Sequence, residues 1–210
     1  MTPSNYFVRC SGIRLLKLII AVCPVARAVC SLAYKTTRVS VNGHDVLVEQ
    51  FAPAARSIAT VLMLHGAAGV YSRDGDSELP AEENFGEQKI ACAGFDVFIV
   101  HYFDYSRIKR VSDPEDMKAF AAGWLLVLRE TSKYIEAATH RSRIALVGES
   151  LGGYLALVLA NESDVYGPVA LYSTGINPYF PIESLSNLRC PVLLQNGEKD
   201  EIVTLNRAKE

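Results

Sequence analysis

The chain has 210 residues, half of them hydrophobic, and a formal net charge of −2. That length and apolar content suit one domain with one sizeable core. The near-neutral balance offers no basic stripe to neutralise phosphates, which argues against nucleic acid as a partner.

The first thirty-odd residues differ from the rest. Arg9, Arg14 and Lys17 precede an apolar run from Leu18 to Ala26, and small residues follow around Ala28 and Ala33. Positive, then apolar, then small is the order of a secretory signal peptide. Lys17 inside the apolar region and Arg27 near the cleavage zone depart from that pattern, so a disordered leader or a misplaced start codon is the alternative for residues 1–33. The uncharged run is shorter than the roughly 20 residues that span a bilayer, so no stable membrane insertion is expected. Export to the periplasm or beyond follows if the leader is a signal peptide, and a cytoplasmic location if it is not. Residues 34–210 then form the domain. Cys10, Cys23 and Cys30 fall in the leader; Cys92 and Cys190 read as two buried apolar thiols, with no disulfide framework implied.

From Lys35 to Phe51 the pattern alternates around Asn42-Gly43, a strong turn signal that predicts a hairpin between residues 37–41 and 46–48. From Thr60 the strands become continuous apolar runs: residues 61–64, 97–100, 144–147, 169–171 and 192–194. Runs buried on both faces mean parallel strands. Helices are predicted between them, over 82–93, from Asp113-Pro114 onward, and over 151–160. Asp113 is placed to cap and Pro114 to take the first helical position. Met117, Phe120, Ala121, Trp124, Leu128, Thr131 and Ile135 then form a stripe at helical spacing, which makes Trp124 a core residue. Such alternation gives right-handed crossovers and a doubly wound α/β sheet with helices on both faces.

Gly148-Glu149-Ser150-Leu151-Gly152-Gly153 lies between the apolar strand and the apolar helix. A serine at a sharp strand-to-helix turn reads as a nucleophile elbow, in which small residues at 148 and 152 let the two elements approach. The Leu151 N–H then sits at a helix start, where it can stabilise a developing oxyanion. A phosphate-cradling reading of this turn fails, because Ser150 stands at the third position and no lysine follows in P-loop spacing.

Three elements in order, each after a strand, resemble the α/β-hydrolase superfamily and most of all its dienelactone hydrolase family. They are His65-Gly66-Ala67-Ala68-Gly69, the turn at Ser150, and Gly197-Glu198-Lys199-Asp200-Glu201-Ile202-Val203. The resemblance implies an α/β-hydrolase fold, Ser150 as nucleophile, and an oxyanion hole from the amides of Leu151 and Ala67, with Ala68 next in line. It also implies that His65 orients its loop, that Asp200 is the acid behind the catalytic histidine, and that Glu198 and Glu201 are nearby alternatives. His65, Tyr102 and Phe103 are expected to line the substrate site, and Asp104 and Tyr105 either join them or remain solvated. Many family members carry cysteine where this chain has serine, which turns the expectation from dienelactones toward small carboxylic esters and lactones.

No histidine follows Ser150. His44 and His140 are predicted at the wrong end of the sheet, and His65 and His101 on the right side but without a carboxylate partner. The family pattern places the histidine beyond another helix and strand, so the sequence predicts a domain missing its last strand and helix, an open edge on the strand at Val192, and a nearly inactive 210-residue chain. The histidines are scattered and no cysteine pair has ligand spacing, so no metal and no cofactor is expected. The short connection before Val192 leaves the pocket open. A serine hydrolase forming an acyl-enzyme is the first reading, with transfer to an alcohol or thiol as a variant. A non-catalytic small-molecule binding protein on the same scaffold is the alternative.

Overall fold

The computed structural model describes residues 4–8, 30–70, 86–174 and 185–204. Its strands are β1 (Ser4–Val8), β2 (Leu32–Val41), β3 (His44–Pro53), β4 (Thr60–Leu64), β5 (Asp96–Val100), β6 (Ile144–Glu149), β7 (Tyr166–Tyr172) and β8 (Val192–Asn196). Its helices are α1 (Glu87–Cys92), α2 (Pro114–Thr139) and α3 (Leu151–Glu162), with a 3-10 turn over Tyr102–Ser106. The strands form one sheet in the order β1-β8-β7-β6-β4-β5-β3-β2. Strands β4 to β8 are mutually parallel, while β1, β2 and β3 pair antiparallel with their neighbours.

The continuous apolar runs feed both faces. Leu62, Leu64, Phe98, Val100 and Leu146 point into one core with Trp124 of α2 and Leu155 of α3. Val61, Met63, Val97, Ile99, Ala145 and Val147 point into a second core with Ala91 of α1 and Phe95. Alternate side chains of one strand thus enter opposite layers, which is why no polar face appears in these runs.

Local signals set the elements. Asn42 and Gly43 take φ of 49° and 79°, as a two-residue hairpin turn requires, and β2 pairs with β3 from Leu32–Pro53 to Val41–His44. The hairpin is longer than its sequence signal because β3 is an internal strand, held by β5 on its other side. At α2 the Asp113 carboxylate accepts from the Glu115 N–H at 2.9 Å, with Pro114 in the first turn. Ala121, Trp124, Leu128, Thr131 and Ile135 face inward as the stripe predicts. The Trp124 indole N–H donates to Ser106 Oγ at 2.9 Å. Helix α1 covers part of the predicted 82–93 span, of which residues 82–85 lie outside the described residues.

Two expectations are corrected. Strand β8 does not present an open edge: β1, drawn from within the predicted leader, pairs antiparallel along its whole length, Ser4 opposite Asn196 and Val8 opposite Val192. The apolar centre of that leader lies outside the described residues. Cys92 is not a buried thiol. It ends α1 at the surface and is disulfide-bonded to Cys30, with Cα atoms 5.6 Å apart and a separation of 62 positions in sequence. The last turn of α1 lies over the start of β2, and that long-range neighbourhood cannot be read from cysteine spacing. Cys190 is buried, as expected, and is not part of a disulfide.

Candidate active site

Parallel strands bring the chain's chemistry to one rim, because every strand from β4 to β8 ends there and the following loop rises above it. Strands β4 and β6 are neighbours, in register from Thr60–Ile144 to Leu64–Gly148. The loop after β4 and the turn after β6 therefore stand side by side.

At the β6–α3 turn Ser150 has φ 49° and ψ −116°, a conformation that a non-glycine residue holds only when its surroundings over-determine it. They do so here. The Ser150 N–H donates to the Tyr172 carbonyl at 2.9 Å. The Ser150 carbonyl accepts from Thr174 Oγ1 at 2.7 Å and from the Tyr154 N–H at 3.2 Å. A Cβ at Gly148 would lie 2.5 Å from the Gly152 carbonyl oxygen, and one at Gly152 would collide with the Leu64 and His65 carbonyls. Glycine at both positions is what lets strand and helix close on the turn. The side chain of Ser150 is half-buried rather than packed into the core.

Helix α3 begins at Leu151, so the Leu151 N–H has no acceptor within the helix. The loop after β4 bends against Ser150: a Cβ at Gly66 would sit 3.4 Å from Ser150 Cβ. Its shape is fixed by the Gly69 N–H donating to the Gly66 carbonyl at 3.0 Å and by the Val111 N–H donating to the Ala67 carbonyl at 2.8 Å. Ala67 is half-buried and Ala68 exposed, beside the serine.

His65 is 2% exposed, and its Nδ1 lies 2.9 Å from the Gly66 carbonyl oxygen. A carbonyl only accepts, so Nδ1 carries the proton. Burial, aided by the nearby His101, pushes its pKa down to about 3, which leaves the ring neutral. Tyr102 stacks on it at 3.9 Å and donates its hydroxyl to the His65 carbonyl at 2.6 Å, while Phe103 meets the ring edge-on at 4.6 Å. This corrects the expectation that His65, Tyr102 and Phe103 line a substrate site. Tyr102 and Phe103 are 0% and 3% exposed, and the three rings form a plug beneath the loop after β4. The 3-10 turn that carries the aromatic pair sets it against Trp124 of α2, 4.8 Å from Phe103. Asp104 is half-buried, and its Oδ2 accepts from the Leu47 N–H at 3.0 Å.

Asp200 lies in the loop after β8. Its Oδ1 accepts from the N–H groups of Ile202 at 3.0 Å and Val203 at 2.9 Å, and its own N–H donates to the Gly197 carbonyl at 3.1 Å. One carboxylate oxygen thus holds the loop and Oδ2 makes no hydrogen bond among the described residues. Asn196 braces the same loop, its Nδ2 donating to the Val203 carbonyl at 2.8 Å. Glu198 and Glu201 are exposed.

All four histidines are described, and none is hydrogen-bonded to Asp200. His101 has the carboxylate partner that its sequence did not announce: its Nε2 is 2.8 Å from Glu49 Oε1, and Tyr34 donates to Glu49 Oε2 at 2.7 Å. In the strand order β6-β4-β5-β3 this pair belongs to β3 and the end of β5, with β4 between them and the turn at Ser150. A lone carboxylate directly after the apolar run Val46-Leu47-Val48 was the signal for it. No group of three metal-ligating side chains occurs among the described residues, and none of their helices is long and apolar enough to cross a membrane.

A mostly parallel sheet sandwiched by helices, with a strained serine at the turn between its central strand and the next helix, defines an α/β-hydrolase fold. Solved structures agree. A dienelactone hydrolase-like promiscuous phosphotriesterase from metagenomic libraries matches with a TM-score of 0.66 at 15% identity, over 85% of this chain and 74% of that one. A cold-adapted esterase from an Arctic intertidal metagenomic library matches with a TM-score of 0.62 at 17% identity, over 88% and 80%. A serine hydrolase homologue from Coxiella burnetii gives 0.57 at 14% identity, over 83% and 79%. No curated protein matches the chain. The dienelactone hydrolase family profile matches residues 50–210, and the chain belongs to that family of hydrolases.

Proposed function

We propose that the protein is a serine hydrolase of small carboxylic esters or lactones, in which Ser150 attacks the carbonyl and the resulting acyl-serine is released to water. The Leu151 and Ala67 amides receive the oxyanion, and Asp200 orients the histidine that takes the serine proton. The observation that carries this reading is the backbone of Ser150: left-handed φ at 49°, locked from Tyr172 and Thr174, and abutted by the loop at Gly66. Strain is retained where it positions a reacting atom. The free Oδ2 of Asp200 is consistent with an acceptor for an imidazole N–H. None of the four histidines bonds to Asp200 among the described residues, so the reading names no base within them.

That same observation favours a second reading, a non-catalytic binding protein on the hydrolase scaffold. Labelling with a fluorophosphonate probe separates the two, applied to this chain and to a form extended through the downstream codons. The hydrolase reading expects the extended form to label and Ser150→Ala to abolish labelling while leaving the circular dichroism spectrum unchanged. Labelling that survives Ser150→Ala, or no labelling of an extended form that does carry a histidine, overturns it in favour of the binding protein.

A further inference from the structure

A second feature of the same rim lies beyond the Ser150 turn. Strand β3 runs opposite to β5, so its first residues reach past the carboxyl end of β5 and lie beside the segment that follows it. The His101 N–H donates to the Leu47 carbonyl at 2.9 Å, and the Leu47 N–H to Asp104 Oδ2 at 3.0 Å. Between this hairpin end and residues 104–109 lies a groove of about 460 Å³. Three cations line it: Arg38 from β2, Arg107 from the end of the 3-10 turn, and Lys109 from the loop after it. Their charged ends make no hydrogen bond or ion pair with any other described residue. Two carboxylates also line the groove. Asp104 is committed to the Leu47 N–H, a charge-assisted bond that offsets part of its field, and Asp45 stands exposed at the rim.

The floor of this groove is also the support of the loop beside Ser150. The Val111 N–H donates to the Ala67 carbonyl at 2.8 Å, and the Lys109 carbonyl lies so close against Gly69 that a side chain there would collide with it. Residues 107–111 thus carry cationic side chains on one side and hold the loop after β4 on the other.

We propose that this groove is a binding site for a compact anion, a carboxylate or phosphate group, and that its occupant is felt at Ala67–Gly69 through residues 107–111. Guanidinium groups suit planar or tetrahedral oxyanions, which they bind through paired N–H donors, and two of them line this groove beside a lysine. The proposal does not depend on Ser150 being a nucleophile.

The test is calorimetric titration of the full chain with inorganic phosphate and, separately, with succinate, at low ionic strength. Saturable single-site binding is expected for at least one, weakening as sodium chloride is added; which of the two binds more tightly identifies the oxyanion. Arg38→Ala and Lys109→Ala, at exposed positions, are each expected to weaken binding about tenfold. Asp45→Asn, at the exposed rim, is expected to tighten it. These opposite signs distinguish a site from a loss of fold. In a parallel titration followed by NMR, the amide resonances of Ala67 to Gly69 are expected to shift along with those of residues 107–109. No saturable binding of either anion in the millimolar range, or binding that Arg38→Ala and Asp45→Asn leave unchanged, overturns the site. Shifts that stop at residue 109 overturn its link to the loop.

Discussion

At the centre of the carboxyl rim, Ser150 is held by three groups from the ends of the two strands that flank β6: the Tyr172 carbonyl and Thr174 hydroxyl at the end of β7, and the backbone of Gly66 after β4. At the margin, Asp200 is held by its own loop, through the N–H groups of residues two and three positions on. The central group owes its geometry to close packing between strands, so whatever alters it should alter the fold. The marginal group owes its geometry to a local turn, so it can change with little effect on the rest of the chain. Chemistry and stability are therefore expected to respond differently at the two places.

The largest effect that would sharpen this contrast is at Asp200. In a catalytically competent form, Asp200→Asn is expected to lower ester turnover about 10⁴-fold, as loss of the orienting acid does in related triads, while the urea midpoint moves little. A fall in stability as large as the fall in rate would break the comparison, because the marginal loop would then be a structural keystone. Covalent closure gives the margins the stability that packing does not. The Cys30–Cys92 bridge joins residues 62 apart, and in the chain-entropy account a loop of that length stabilises the fold by about 4 kcal/mol. Cys92→Ser is expected to lower the stability by up to that amount; equal midpoints with and without reductant would show that α1 and β2 hold together unaided.

At the centre, Gly152→Val is expected to cost about 3 kcal/mol. Its side chain would meet the backbone carbonyls of Leu64 and His65, which cannot give way without moving β4. Guanidinium denaturation measures it. A near-wild-type midpoint would mean that the strand and helix have slack, and the strain at Ser150 would need another cause.

The contrast also tells what the sequence could yield. Strands β4 to β8 were legible because a parallel strand buried on both faces is apolar along most of its length, and the Ser150 turn because its glycine-serine-glycine pattern is contiguous in sequence, with Gly148 answering to Gly152 and Gly153 a few residues away. The cap at Asp113 and the turn at Asn42-Gly43 are likewise local. What was not legible depends on partners far along the chain. Nothing in residues 4–8 announces a strand on β8, Cys30 and Cys92 have no telling spacing, and Glu49 meets His101 across 52 positions. The direction of Tyr102 and Phe103 was undetermined for a similar reason. An aromatic pair at a strand end can turn up to solvent or down to the core, and here the Tyr102 hydroxyl bonding the His65 carbonyl goes with the second choice. The family resemblance named the roles of Ser150 and Asp200; it did not carry the packing around them.

The smallest of the expected effects concerns the ring plug below the loop. His65 is buried, and burial lowers its pKa from 6.5 to about 3. Its unfolded-state counterpart therefore binds a proton between those values while the folded form does not. The stability from neutral His65 is fully present above pH 6.5 and is lost as the pH falls through the window toward 3. At pH 5 the loss amounts to about 2 kcal/mol, since each pKa unit is worth about 1.4 kcal/mol. Urea midpoints measured at pH 7 and pH 5 give the slope, and His65→Gln isolates the share of this one residue. Glutamine keeps a donor for the Gly66 carbonyl but has nothing to titrate, so the variant is expected to show a flatter dependence between pH 6.5 and 5. If the variant and the parent lose stability in parallel, the imidazole is solvated, and the plug under Ala67 is looser than its stacked and hydrogen-bonded rings imply.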